Sequence, residues 1–89
     1  MTITEFNATI ALSSGGINGF RGIYTTSGQR YPINQNPPAN DLTSVETYSF
    51  SKDDVNGLIV LVPRRSFQET PIHITLPYQY IERIQFIPA

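Results

Sequence analysis

The sequence predicts an all-β domain: a small barrel or compact sandwich of five to six short antiparallel strands with at most a single helical turn. Three observations predict it. The C-terminal stretch from Ile72 to Ile87 reads as two short alternating strands joined by Pro77-Tyr78-Gln79-Tyr80. Leu58 to Val62 is an unbroken run of β-branched residues and leucine. Between these and the other apolar blocks, glycine and proline recur as breakers. At 89 residues the chain is expected to be one domain spanning 1–89, large enough for a single modest core.

Taken in order, Phe6, Ala8, Ile10 and Leu12 fall at every second position, which predicts a half-buried strand over 6–12. Ser13-Ser14-Gly15-Gly16 ends it, because paired glycines accept positive φ at little cost. A second strand is expected over 17–25, with Phe20, Gly22 and Tyr24 on one face and Arg21 and Ile23 on the other. Gly19 and Gly22 within it mark a bend or bulge. After the Ser27-Gly28 turn, residues 29–33 predict a short edge strand, since Pro32 has no amide hydrogen to give to a ladder. Residues 34–41 form a polar loop that Pro37-Pro38 stiffens toward an extended conformation.

Residues 43–50 are rich in β-branched and aromatic side chains and predict another strand. In Ser51-Lys52-Asp53-Asp54 the spacing suits a capping box, so a single helical turn ending at Gly57 is expected there. Leu58 to Val62 should then be a central strand covered on both faces, each fully buried side chain contributing about 1.5–3 kcal/mol of transfer free energy. Pro63 stops it, and residues 64–71 lead into the closing unit.

That unit, Leu76-Pro77-Tyr78-Gln79-Tyr80-Ile81-Glu82-Arg83-Ile84, resembles the end of Src-homology-3-like small barrels. There a strand runs into a Pro-containing turn of 3₁₀ helix, and a β-branched residue opens the closing strand. PRC-type and Sm-like barrels end in a similar way. The resemblance implies a Src-homology-3-like barrel and covers the closing segment alone. The chain has no tryptophan, no Ala-Leu-Tyr-Asp-Tyr opening motif and no Sm-type signature, so the peptide or RNA binding of those families is not carried over.

Composition narrows the function. There is no cysteine, which removes disulfides and thiolate metal sites and gives secretion no support. The N-terminal residues do not form a signal sequence, and no apolar run approaches the ~20 residues of a spanning helix, so a cytoplasmic protein without membrane attachment is expected. Six basic residues against seven acidic ones give a net charge of −1, which ranks nucleic acid behind protein as a partner. Only 15% of residues are charged, against about 25% in average soluble domains, and such weak mutual repulsion favours self-association.

The single imidazole, His73, lies between two isoleucines of a predicted strand and is expected on its solvent face, without catalytic company. Asp53 and Asp54 read as helix-start acids. The strings Gly16-Ile17-Asn18-Gly19 and Gly19-Phe20-Arg21-Gly22 join strands and therefore read as turns, not as a backbone clamp. No catalytic residue, metal or cofactor is expected. Of the five tyrosines, Tyr48 and Tyr80 are assigned to the rim of the core. Tyr31 and Tyr78, each beside a proline, are assigned with Pro37 and Pro38 to a partner-binding surface. Arg64 and Arg65, with Arg21, Arg30 or Arg83 near them in space, are the candidate anion-binding group. The leading expectation is a non-catalytic protein-interaction or assembly module, self-associating as a homo-oligomer. The alternative is a small barrel that binds a nucleotide or RNA through its arginines.

Overall fold

The computed structural model describes residues 1–35, 46–64 and 72–89. Its first element departs from expectation. Ile3–Leu12 is an α-helix, α1, and not a strand. Thr2 caps it: the Thr2 Oγ1 accepts from the Glu5 amide at 3.1 Å, and Glu5 Oε1 accepts from the Thr2 amide at 2.9 Å. Each bond satisfies a donor near the helix start that would otherwise lack an intrahelical partner. Ile3, Phe6 and Ile10 then share one side at helical spacing and pack on the core, while Ala8 is exposed and Leu12 is 61% exposed. The apparent alternation of apolar residues over 6–12 therefore straddles both sides of a helix.

A 3₁₀ turn, Gly16–Gly19, leads into β1 (Phe20–Thr25). Glycine is required at 19, because a Cβ there would fall 2.1 Å from the Ser14 carbonyl oxygen. β1 is the centre of one antiparallel sheet, flanked by β2 (Arg30–Pro32) and β6 (Ile81–Phe86) in the order β2-β1-β6. The expected edge strand with Pro32 is β2. Phe20 pairs with Phe86 and Gly22 with Gln85, so β1 carries an extra residue at Arg21. That bulge shifts the alternation by one position. Phe20 and Ile23 both face inward, and Gly22 and Tyr24 are left on the outer face.

The second sheet has the order β3-β4-β5, from Tyr48–Asp53, Leu58–Pro63 and Ile74–Pro77. Between β3 and β4 the expected helical turn is a hairpin turn instead. Asp53 pairs with Leu58, and its carboxylate accepts from the Asn56 amide at 3.2 Å and the Asn56 side chain at 2.8 Å. Gly57 closes the turn at φ +70°. With β3 running through Asp53, Ser51 lies inside a strand and has no helix to cap.

Hydrogen bonding divides the strands into two three-stranded sheets that do not close into a barrel. Among the described residues, a parallel bridge between Ile33 and Tyr48 and the 3₁₀ turn Tyr78–Tyr80, which carries β5 into β6, are among the links between them. Helix α1 sits against both sheets through Phe6, whose ring meets Phe20 at 5.7 Å, Phe50 at 6.1 Å and Tyr78 at 4.9 Å between centroids. Ile23, Ile33, Ile59, Leu61, Leu76 and Ile81 complete the buried core. Among the described residues no helix is long and apolar enough to cross a membrane.

Candidate functional site

Each sheet turns one face to the core and leaves the other open, and the open faces differ in chemistry. On the first sheet, Tyr24 pairs with Arg30 on one side and with Arg83 on the other. Directly paired residues share a face, so the three side chains form a row across the sheet. The Arg83 guanidinium carbon stands 4.0 Å from the Tyr24 ring centroid and that of Arg30 stands 5.8 Å away. Both lie within the usual range for attraction between a cation and an aromatic ring.

Arg30 is held. Its Nη2 donates to Gln85 Oε1 at 2.9 Å and to the Arg21 carbonyl at 3.3 Å. The guanidinium occupies the space over Gly22, where a Cβ would come within 2.9 Å of two of its nitrogens. No carboxylate of a described residue lies within ion-pair distance of Arg30 or Arg83. Beside them, Tyr24, Arg83, Ile84 and Gln85 line a shallow cavity of about 310 Å³.

The chain matches no family model, no curated protein and no solved structure.

On the second sheet the outer face carries a line of aliphatic side chains along its central strand, flanked by small polar residues and, beside Leu58, by Asp53. Ile59 and Leu61 of β4 are fully buried, whereas the alternate residues Leu58, Val60 and Val62 are only partly buried. Their paired neighbours are Ser49 beside Val62, and Ser51 and Thr75 beside Val60. β4 is thus central in its sheet, as its composition predicts, with Ile59 and Leu61 on its fully buried face and Leu58, Val60 and Val62 on a face that is only partly buried. The expectation of cover on both faces is corrected by the position of this sheet at the outside of the fold.

The residues singled out in the sequence are dispersed. Tyr78, expected at a partner-binding surface, is 3% exposed: the 3₁₀ turn after Pro77 directs its ring against Phe6. Its hydroxyl donates to Asp54 Oδ1 at 2.7 Å. Burial, and then the adjacent Asp54, raise the phenol above the ordinary tyrosine range, while the same hydrogen bond, followed by Lys52 at 3.2 Å, holds the Asp54 carboxyl below its usual value. Tyr31 is half-buried and meets Tyr48 edge-on at 5.5 Å, so much of its ring is committed to the fold. Tyr48 packs at the margin of the core, and Tyr80 is 50% exposed. Arg64 lies exposed just after β4, on the other sheet from Arg30 and Arg83, and its amide donates to the Thr47 carbonyl at 2.8 Å. Pro37, Pro38 and Arg65 lie outside the described residues. His73 is exposed, and among the described residues no three His, Cys, Asp or Glu side chains gather as metal ligands do.

The row of Tyr24, Arg30 and Arg83 went unread because it is a matter of register. Its three members come from three strands, and only the pairing of β1 with both β2 and β6 brings them together.

Proposed function

We propose that the protein is a non-catalytic interaction and assembly module of the cytoplasm, which associates with a second copy of itself through the outer face of the β3-β4-β5 sheet. The observation that carries this reading is the line of Leu58, Val60 and Val62, three aliphatic side chains on a central strand that a single chain leaves partly open. Removing apolar surface from water is worth about 25 cal/mol per Å², and sheets pack face to face when alternate residues of both interdigitate.

Charge supports a like partner. The residues paired with Val60 and Val62 are serine and threonine, so the middle of the face is covered without burying an ion, and Asp53, beside Leu58, stands at its hairpin end. The low overall charge keeps repulsion between copies small.

Val60→Lys tests the reading, because it places an ammonium at the centre of the face while leaving the buried side of β4 untouched. Sedimentation velocity over a concentration series should show a dimer for the native chain, with dissociation at least about tenfold easier in Val60→Lys and little altered in Val60→Thr. A native chain that stays monomeric at millimolar concentration would defeat the proposal.

A further inference from the structure

We propose that the outer face of the β2-β1-β6 sheet is a binding site for a phosphate monoester, with Arg83 and Arg30 as the groups that hold the phosphoryl oxygens and Tyr24 as the platform between them. This site lies on the opposite sheet from the self-association face, so neither reading depends on the other.

The argument starts from what the two guanidiniums do not touch. A cross-strand carboxylate stabilises an arginine on a sheet, and such an Arg–Glu or Arg–Asp pair would lower the affinity of the site for any anion. Here Tyr24 occupies the position between Arg30 and Arg83, and no carboxylate of a described residue lies within ion-pair distance of either. Two positive charges therefore stand beside one ring, neither in an ion pair with a described residue. A dianion matches that charge.

The geometry is prepared before any ligand arrives. Arg83 lies against the Tyr24 ring at 4.0 Å, which limits the rotamer freedom it would lose on binding, and none of its five N–H donors is used within the described fold. Arg30 is fixed by Gln85 Oε1 and the Arg21 carbonyl through Nη2, so Nη1 and Nε remain for a ligand. Gly22 makes this possible, since any side chain there would occupy the guanidinium's place. The shallow cavity alongside is lined by Tyr24, Arg83, Ile84 and Gln85, so its polar groups are the arginine, the amide and the phenol. It admits a small ester group beside the phosphoryl oxygens.

The test is a titration at low ionic strength, followed by amide and arginine side-chain shifts in two-dimensional NMR, with three ligands: inorganic phosphate, glycerol phosphate and adenosine monophosphate. Saturable shifts centred on Gly22, Tyr24, Arg83 and Gln85 are expected, weakening as salt is added. Equal affinity for the three assigns recognition to the phosphoryl group alone. Tighter binding of the adenylate adds stacking of its base on the Arg83–Tyr24 pair. Arg83→Gln should weaken binding about tenfold or more, the effect of losing a charge-assisted fork. Gly22→Ala should also weaken it severalfold, because the added methyl displaces only the flexible end of Arg30 and leaves the backbone in place. Arg64→Gln, on the other sheet, should leave the titration unchanged, and retained spectral dispersion verifies that each variant is folded. Absence of saturable shifts with all three ligands at about 10 mM, tenfold above a dissociation constant of 1 mM, overturns the proposal. So does a loss from Arg64→Gln equal to that from Arg83→Gln.

Discussion

The Tyr78 hydroxyl and the Asp54 carboxylate form one unit whose members push each other's ionisation in opposite directions. Asp54 has a folded pKa below the ordinary 3.8, so the stability it contributes is complete above about pH 4 and is lost as the pH falls through the lower folded value. Tyr78 has a folded pKa above the ordinary 10.0, so its contribution is complete below pH 10 and is lost as the pH rises beyond it. Tyr78→Phe removes the phenol's dependence and the largest contribution to Asp54's, leaving that of Lys52. In urea unfolding between pH 2 and 11, the native chain should lose stability more steeply than the variant at each end, with the largest difference between them on the plateau from pH 5 to 9. Parallel curves would mean that the hydrogen bond is not formed in solution. The residue itself shows how context decides a tyrosine's role. Beside Pro77 it has the look of an exposed anchor, but its ring is as apolar as phenylalanine and takes the place that Phe6 offers it.

At the scale of elements, the N-terminal segment is the instructive case. Phe6, Ala8, Ile10 and Leu12 satisfy a period of two, while Ile3, Phe6 and Ile10 satisfy the helical spacing equally well, and short apolar patterns do not separate the two by themselves. The arbiter was present in Thr2-Ile3-Thr4-Glu5, a capping box at the head of the helix. The similar string at Ser51 lies in a strand, since the pairing of β3 with β4 uses the backbone that a helix would need. Thr2→Ala should therefore lower the unfolding free energy by about 1 kcal/mol, and Thr2→Ser should retain it. Chemical denaturation measures both, and an unchanged Thr2→Ala would show that the cap contributes nothing. β2 and β4 were easier to read. Proline confines the first to an edge, and a run of β-branched residues has few alternatives to a central strand.

Among the described residues the two sheets meet through the short Ile33–Tyr48 bridge, through side chains and through helix α1. Phe6 is the residue common to all the parts: it meets Phe20 of the first sheet, Phe50 of the second and Tyr78 of the turn that joins them. Phe6→Ala should cost about 3–5 kcal/mol, a large share of the 5–15 kcal/mol typical of a domain, and should lower the melting temperature by at least ~12 °C. Leu12→Ala in the same helix, at a side chain 61% exposed, should change it little. Similar losses in the two variants would argue against the helix docking described. The sequence by itself determined the β-rich class, the positions of most strands and turns, and the absence of the residues that cysteine or multi-histidine chemistry requires. These follow from local rules: propensity, proline's missing donor and glycine's freedom. Only the tertiary structure decided that α1 is a helix against the core, that Tyr78 is buried, that β4 has one open face, and that Arg30 and Arg83 meet at Tyr24. Each of these depends on which strands pair and in what register, and register is an energy of contacts between residues far apart in the chain.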